Sequence, residues 1–242
     1  MGRDVGVVVP AAGDGARLKR GVRKAFVPLN GQPLVWHALR VLQATPVISV
    51  IVIAAHAEDQ RRMQRLVRRA RLTKVTAIIA GGASRAESVA RGIAALPSSV
   101  QWVVVHDGAR PCVTSALVTQ IIQHAKRYGA AACGLPMSLT VKAVDQAGVV
   151  RMTLDRESLW AVQTPQAFRR IWFQEAWQRV TQEGVKPASP ALGERFPDDV
   201  SVLEWAGFPV RMVPGQAWNV KVTRPEDLTL ARAILHARNG RA

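Results

Sequence analysis

The stretch Val5-Gly6-Val7-Val8-Val9-Pro10-Ala11-Ala12-Gly13-Asp14-Gly15-Ala16-Arg17, with Lys24 seven residues further on, has the order that nucleotide chemistry requires. The β-branched run at 5–9 is apolar enough for a strand buried on both faces. It leads into a loop of Pro, Ala and Gly whose backbone amides no bulky side chain obstructs. Two cations, Arg17 and Lys24, follow. Unobstructed amides and positive charge at the end of a strand present donors to a polyphosphate. Gly13-x-Gly15-x-Arg17 lacks the third glycine of a dinucleotide-binding fingerprint, so a dehydrogenase is not implied.

Outward from this stretch, strands and helices alternate. Apolar runs at 5–9, 48–54, 75–79, 102–105 and 130–135 predict buried strands. Helical spacing is found near 34–43, 58–70, 84–95 and 114–128, the last capped by Thr114 or Ser115. Right-handed crossovers then give an α/β fold, a parallel sheet with helices on both faces. Ligands in such sheets sit at the carboxyl ends of the strands. Segments 140–144 and 149–154 around Asp145-Gln146-Ala147-Gly148 predict a hairpin, which is marginal alone and needs something to pack on, such as another subunit. The Pro-, Gly- and Ala-rich stretch 184–197 reads as a loop. The chain closes with 210–213, a short run at Val220 and a helix opening at Pro225-Glu226-Asp227. Residues 1–242 read as a single domain.

The chain has 242 residues, 48% of them hydrophobic, enough for a full core without staples. No apolar stretch approaches the ~20 residues that cross a bilayer. The first strand is expected within a few residues of Met1, so no leader is expected. Cys112 and Cys133 are too few and too far apart for a disulfide framework or a zinc site. A reduced, cytoplasmic protein is expected. The formal charge of +16 raises nucleic-acid binding as a distant alternative. Its densest cluster, however, is Arg61, Arg62, Arg65, Arg68, Arg69 and Arg71 on a helical pattern with an apolar side, which reads as a solvated face. No nucleic acid and no membrane partner is expected.

Further polar blocks stand where strands end. Gly81-Gly82-Ala83-Ser84-Arg85, with Ser88 one turn later, follows the third run, and His106-Asp107-Gly108-Ala109-Arg110-Pro111 follows the fourth. Asp155-Arg156, Thr164-Pro165-Gln166, Asp198-Asp199 and Asn219-Val220-Lys221-Val222-Thr223-Arg224-Pro225 come after. With the 10–17 loop and Lys24, these blocks resemble the 2-C-methyl-D-erythritol 4-phosphate cytidylyltransferase family from about residue 5 to residue 230. Departures are small: Arg23-Lys24-Ala25 where the family often has Pro-Lys-Gln, Gly108 for a frequent alanine, and Pro197 for a common threonine.

The resemblance implies a Rossmann-like nucleotide-diphospho-sugar transferase fold with a β-hairpin dimerisation arm at about 138–160. It implies CTP and methylerythritol phosphate as substrates, Mg²⁺ as cofactor, and a homodimer whose exchanged arm completes the partner's site. Catalytic roles fall on Arg17 and Lys24, at the α-phosphate and the leaving pyrophosphate, and on Arg156 and Lys221, which hold the second substrate. Nucleotide-binding roles fall on Pro10, Ala11, Ala12, Gly13, Gly15, Gly82, Arg85 and Ser88. Asp107, Arg110, Thr140 and Thr164 are implied on the substrate side, Asp107 also as a metal ligand. A phosphomonoester has a second pKa of about 6 and attacks as a dianion, so no general base is required. Asp198-Asp199 reads as a helix cap. The nearest alternative, a ribitol 5-phosphate cytidylyltransferase, would share loop, cations and CTP.

Overall fold

The computed structural model describes residues 4–15, 18, 21–183 and 195–239. Arg17 and most of the 184–197 loop lie outside them. Val7 and Val9 of β1 (Val5–Ala11) pack into one apolar cluster with Leu39, Met63 and Ile121, while Val8 points into another with Val89, Ile93 and Phe168. A strand buried on both faces in this way must be central. Seven strands form the main sheet, in spatial order β11 (Arg211–Pro214), β7 (Ala130–Pro136), β10 (Trp160–Arg169), β6 (Trp102–Val105), β1, β4 (Val50–Ala55) and β5 (Val75–Ala80). All run the same way except β10, which is antiparallel to both neighbours.

Helices α1 (Leu34–Ala44), α2 (Gln60–Arg69) and α4 (Ser115–Tyr128) supply the first cluster. Helices α3 (Arg85–Ala94), α5 (Arg170–Gln182) and α6 (Val200–Trp205) supply the second. A third cluster gathers Leu29, Leu34, Cys112 and Val222 against Leu228 and Ala231 of α7 (Pro225–Asn239). The expected cap of α4 is Thr114, whose Oγ1 accepts from the Leu117 N–H. The run at Val220 forms no strand. Two pairs lie apart from the main sheet: β2 (Pro28–Leu29) with β3 (Gln32–Pro33), and the predicted hairpin, β8 (Val141–Val144) with β9 (Val150–Leu154). The hairpin leaves Leu139, Val144, Val150 and Met152 exposed, Leu139 at 73%.

The strand order fixes where a ligand can sit. From β1 the chain builds outward through β4 and β5, then crosses to β6 on the other side of β1. That reversal opens a crevice beyond the carboxyl end of β1. No helix among the described residues is long and apolar enough to cross a membrane.

Candidate active site

A cleft of about 460 Å³ occupies this crevice. Residues 10–14, Lys24, His56, Arg85, Asp107 and Lys221 are among those that line it. Of the predicted site residues, Pro10, Ala11, Ala12, Gly13, Lys24, Gly82, Arg85, Ser88, Asp107 and Lys221 are brought together here. Gly15 sits just behind, at φ 74°, where a Cβ would meet the Lys24 Cβ at 2.6 Å. Only glycine lets the loop turn that tightly against Lys24. A Cβ on Gly81 would meet that of Ala12 at 2.5 Å, so the two glycine-bearing loops are packed nearly backbone to backbone.

Helix α3 begins at the cleft. Ser84 caps it by accepting from the Glu87 N–H at 3.1 Å, and the Glu87 carboxylate accepts from the Ala83 N–H at 2.7 Å. The amide end of a helix is thereby fixed beside the phosphate loop, where an anion is favoured. Ser88 accepts from the Gly82 N–H and donates to the Ser84 carbonyl, both at 2.9 Å. It braces the turn as well as lining the cleft.

Asp107 is the electrostatic centre. Its Oδ1 accepts from Arg85 Nε and Nη2 at 3.1 and 2.9 Å, and its Oδ2 lies 2.8 Å from Lys221 Nζ and 3.8 Å from Arg110 Nε. Burial alone would raise this carboxyl, but Arg85, Lys221 and Arg110 together hold it well below the usual carboxylate range. Arg85 also makes a two-pronged pair with Asp199, 2.8 Å on each prong. Asp198 caps α6 through the Ser201 N–H at 3.0 Å, whereas Asp199 makes no capping bond. The cap expectation therefore holds for Asp198 and is corrected for Asp199, which anchors Arg85.

Arg110 and Thr164 do not line the cleft. Arg110 is buried and donates to the Asn219 carbonyl at 2.8 Å, and Thr164 Oγ1 accepts from the Asp107 N–H at 3.0 Å. Both brace Asp107 from behind within one subunit. Thr140 and Arg156 stand on or beside the hairpin, away from this cleft, and Arg156 donates to the Ser138 carbonyl. Asp107, expected also as a metal ligand, has Arg85 on Oδ1 and Lys221 on Oδ2. Among the described residues no group of three or more His, Cys, Asp and Glu could hold a metal.

Three residues with structural duties here had not been assigned roles from the sequence. Gln166 donates to Asp198 Oδ2 and accepts from the Asp199 and Val200 N–H groups, tying α6 to β10. Asn219 donates to the Thr164 carbonyl at 2.8 Å, locking the loop that carries Lys221. His56 lines the cleft from the end of β4. An amide buried in the sheet, as that of Gln166 is, signals a required partner.

His106 completes the network. It is fully buried, with Nε2 3.3 Å from the Arg110 carbonyl and Nδ1 3.3 Å from Thr164 Oγ1. Since Thr164 accepts from Asp107, its hydroxyl proton goes to Nδ1, and Nε2–H donates to the carbonyl; the ring is neutral. Burial pushes its pKa down, from 6.5 to about 4. The unfolded chain therefore takes up a proton that the folded chain refuses between these values. Stability is full above pH 6.5 and falls as pH drops toward 4, by about 3 kcal/mol from this ring. Melting curves over that range should show the decline, and His106→Gln should flatten it. A slope unchanged by the substitution would place the titration elsewhere; half-buried His37, also lowered by burial, is the next candidate. Cys112 and Cys133 are buried and pushed up to about 11 and about 12, so neither thiol is a nucleophile.

A sheet crevice with a glycine-turned loop after β1, the capped amide end of α3, and Lys24 and Lys221 on its walls fits a nucleotidyltransferase with a mostly parallel α/β sheet. The profile of one such family, 2-C-methyl-D-erythritol 4-phosphate cytidylyltransferase, matches residues 5–237, and the chain belongs to that family. Its relative of that name in Pelotomaculum thermopropionicum is 41% identical over 98% of this chain and 96% of its own length. The one in Desulforamulus reducens is 39% identical over 96% of each. The crystal structure of the Thermus thermophilus enzyme of the same name superposes with a TM-score of 0.76 at 28% identity, over 96% of this chain and 99% of that one. The 4-diphosphocytidyl-2C-methyl-D-erythritol synthase of Anaerococcus prevotii, at 22% identity, shares the fold with a TM-score of 0.81 over 97% and 96%.

Proposed function

We propose that this cleft joins CTP to 2-C-methyl-D-erythritol 4-phosphate, giving 4-diphosphocytidyl-2-C-methyl-D-erythritol and pyrophosphate. The observation that carries the reading is the convergence of the 10–14 loop, the α3 amide end, Lys24 and Lys221 on one cleft. A phosphate oxygen of the second substrate attacks the α-phosphorus of CTP; a new P–O bond forms there and the bond to the β-phosphate bridging oxygen breaks. The obstacle is repulsion between anions, so catalysis is positioning and positive charge. Residues 10–15 cradle the triphosphate, Lys24 and Arg17 neutralise the α-phosphate and departing pyrophosphate, and Lys221 meets the incoming phosphate. Arg85, with Ser88 and Gly82, shapes the nucleotide side while its own charge is held by Asp107 and Asp199.

Mg²⁺, if required, is held chiefly by the nucleotide oxygens, as is usual for this ion, since Asp107 already pairs with Arg85 and Lys221. The deciding experiment is pyrophosphate release with CTP, comparing methylerythritol 4-phosphate with ribitol 5-phosphate, with and without a chelator. Turnover with ribitol phosphate alone would overturn the substrate, turnover surviving the chelator would remove the metal, and no turnover with either would overturn the reaction.

The working unit in this reading is a cytoplasmic homodimer with exchanged arms, its partners CTP and methylerythritol phosphate, and neither nucleic acid nor membrane among them. Two buried unpaired thiols fit a reducing compartment. Exposed apolar side chains on the hairpin favour a protein surface as its cover. Thr140 and Arg156 then act in the partner's cleft. Mixing inactive Lys24→Ala and Arg156→Met chains after unfolding and refolding together should restore about a quarter of the wild-type sites, since half of random dimers carry one intact cleft. No recovery above the separate variants would show that the arm serves its own subunit.

A further inference from the structure

A second cleft, about 780 Å³, lies between α2 and the Trp36 end of α1. Arg40, Arg62, Arg65, Arg69 and Arg71 line it, and no carboxylate does. Arg62, Arg65 and Arg69 stand at i, i+3 and i+7, on one face of α2. Among the described residues none of the five makes an ion pair. The nearby acids Glu58 and Asp59 are engaged by Arg23 instead. Arg71 holds φ at 50°, a conformation in which a glycine would be relaxed, yet the chain keeps an arginine there. Five like charges sharing one cleft repel each other, and a multivalent anion reverses the sign of that energy.

The aromatic rings indicate what kind of anion fits. The Arg40 guanidinium lies over the Trp36 ring at 5.6 Å and that of Arg62 over the Phe26 ring at 4.1 Å. Ring faces that would stack nucleobases already carry guanidinium groups. The cleft is built to meet phosphate and not base. We propose that it is a second anion site, taking a compact polyphosphate, and that its occupancy is sensed at Lys24.

The connection to the active cleft is short. Phe26, under Arg62, ends the single turn Lys24–Phe26 whose first residue lines the active cleft. Arg23, one residue earlier, bridges Asp14 of the phosphate loop to Asp59 at the start of α2, at 2.9 Å on each side. An anion that draws Arg62 off Phe26 therefore pulls on the turn carrying Lys24. Binding stands independently of the active-site reading; the coupling rests on the role proposed for Lys24.

The test is calorimetric titration of the full chain with sodium tripolyphosphate. Wild type should show two sites, of which excess CTP blocks one. Arg65→Ser/Arg69→Ser, on an exposed helix face and checked for unchanged melting, should keep the CTP-sensitive site and weaken the other by about ten-fold. An isotherm identical to wild type would overturn the proposal, as would a thymidylate decamer that binds through these arginines more tightly than tripolyphosphate. At saturating CTP, tripolyphosphate should change kcat in the wild type and not in the double variant. A kcat unaffected in both would overturn the coupling. A wild type without turnover would refute the proposed reaction and leave the binding result intact.

Discussion

Lys24→Ala is expected to lose about 10²–10³-fold in turnover while melting within about 2 °C of the parent chain. The expectation follows from where the loop turns. Gly15 takes φ 74° with its backbone against Lys24, so loop and lysine are held as one unit at the mouth of β1. In the proposed reaction two anions meet, and the ammonium is among the charges that make their approach possible. Lys24 is half-buried in a short turn, and truncating its stem removes little core. The loss should therefore appear in kcat measured by pyrophosphate release, with melting as the control. Gly15→Ala tests the same geometry without touching a charge: a methyl there collides with the Lys24 stem and must adopt a strained φ. A displacement near 1 Å is enough for up to about 10²-fold. Full activity in Gly15→Ala would show that the loop does not set the lysine's position.

Asp107→Asn should be the most damaging single substitution to stability among the cleft residues. The carboxylate, 8% exposed, pairs closely with Arg85 and Lys221 and stands 3.8 Å from Arg110. An amide keeps the shape and removes the charge, leaving Lys221 and Arg110 without this anion and Arg85 with Asp199 alone. Removing one partner of a buried ionic cluster costs about 3–5 kcal/mol. In a chain of this size that is a fall of about 10 °C in Tm. Activity should fall with it, because Lys221 loses the anchor that aims it. The double substitution Asp107→Asn/Lys221→Met should recover part of the stability and none of the activity. A single variant as stable as wild type would mean that solvent, not Asp107, balances these cations.

The central sheet was readable because its strands are apolar runs between loops of small residues. β1, β4, β5, β6 and β7 all fall within two residues of their expected bounds. β10 and α5 were not foreseen. β10 contains Gln163, Thr164, Pro165 and Gln166, polar and proline residues that mimic a loop locally. Only tertiary partners, Asp198, Asn219 and Gln216, make burying those amides possible. The same limit applied to the site. The sequence marks loops at strand ends, and the cleft confirms their meeting there. It does not mark which charge faces which, so nothing in it shows that Arg85 and Arg110, expected at the nucleotide and the second substrate, are held by buried partners. Asp199 lies 114 residues from Arg85 along the chain, a distance at which no local spacing rule operates.

The reversal of β10 has a consequence for how this scaffold can diversify. β7 ends at Pro136 on the edge of the sheet where the cleft opens, and β10 begins at Trp160 directly opposite it. Everything between, the β8–β9 hairpin included, departs and returns through one corner, paired there like the two ends of a clasp. The β7–β10 pairing runs from Pro136–Trp160 to Ala130–Phe168, all of it outside the excursion. The excursion's length and side chains can be rewritten by mutation while the phosphate loop and its lysines stay in place. The residues that line the cleft all lie outside this excursion, so it can change while they keep their places.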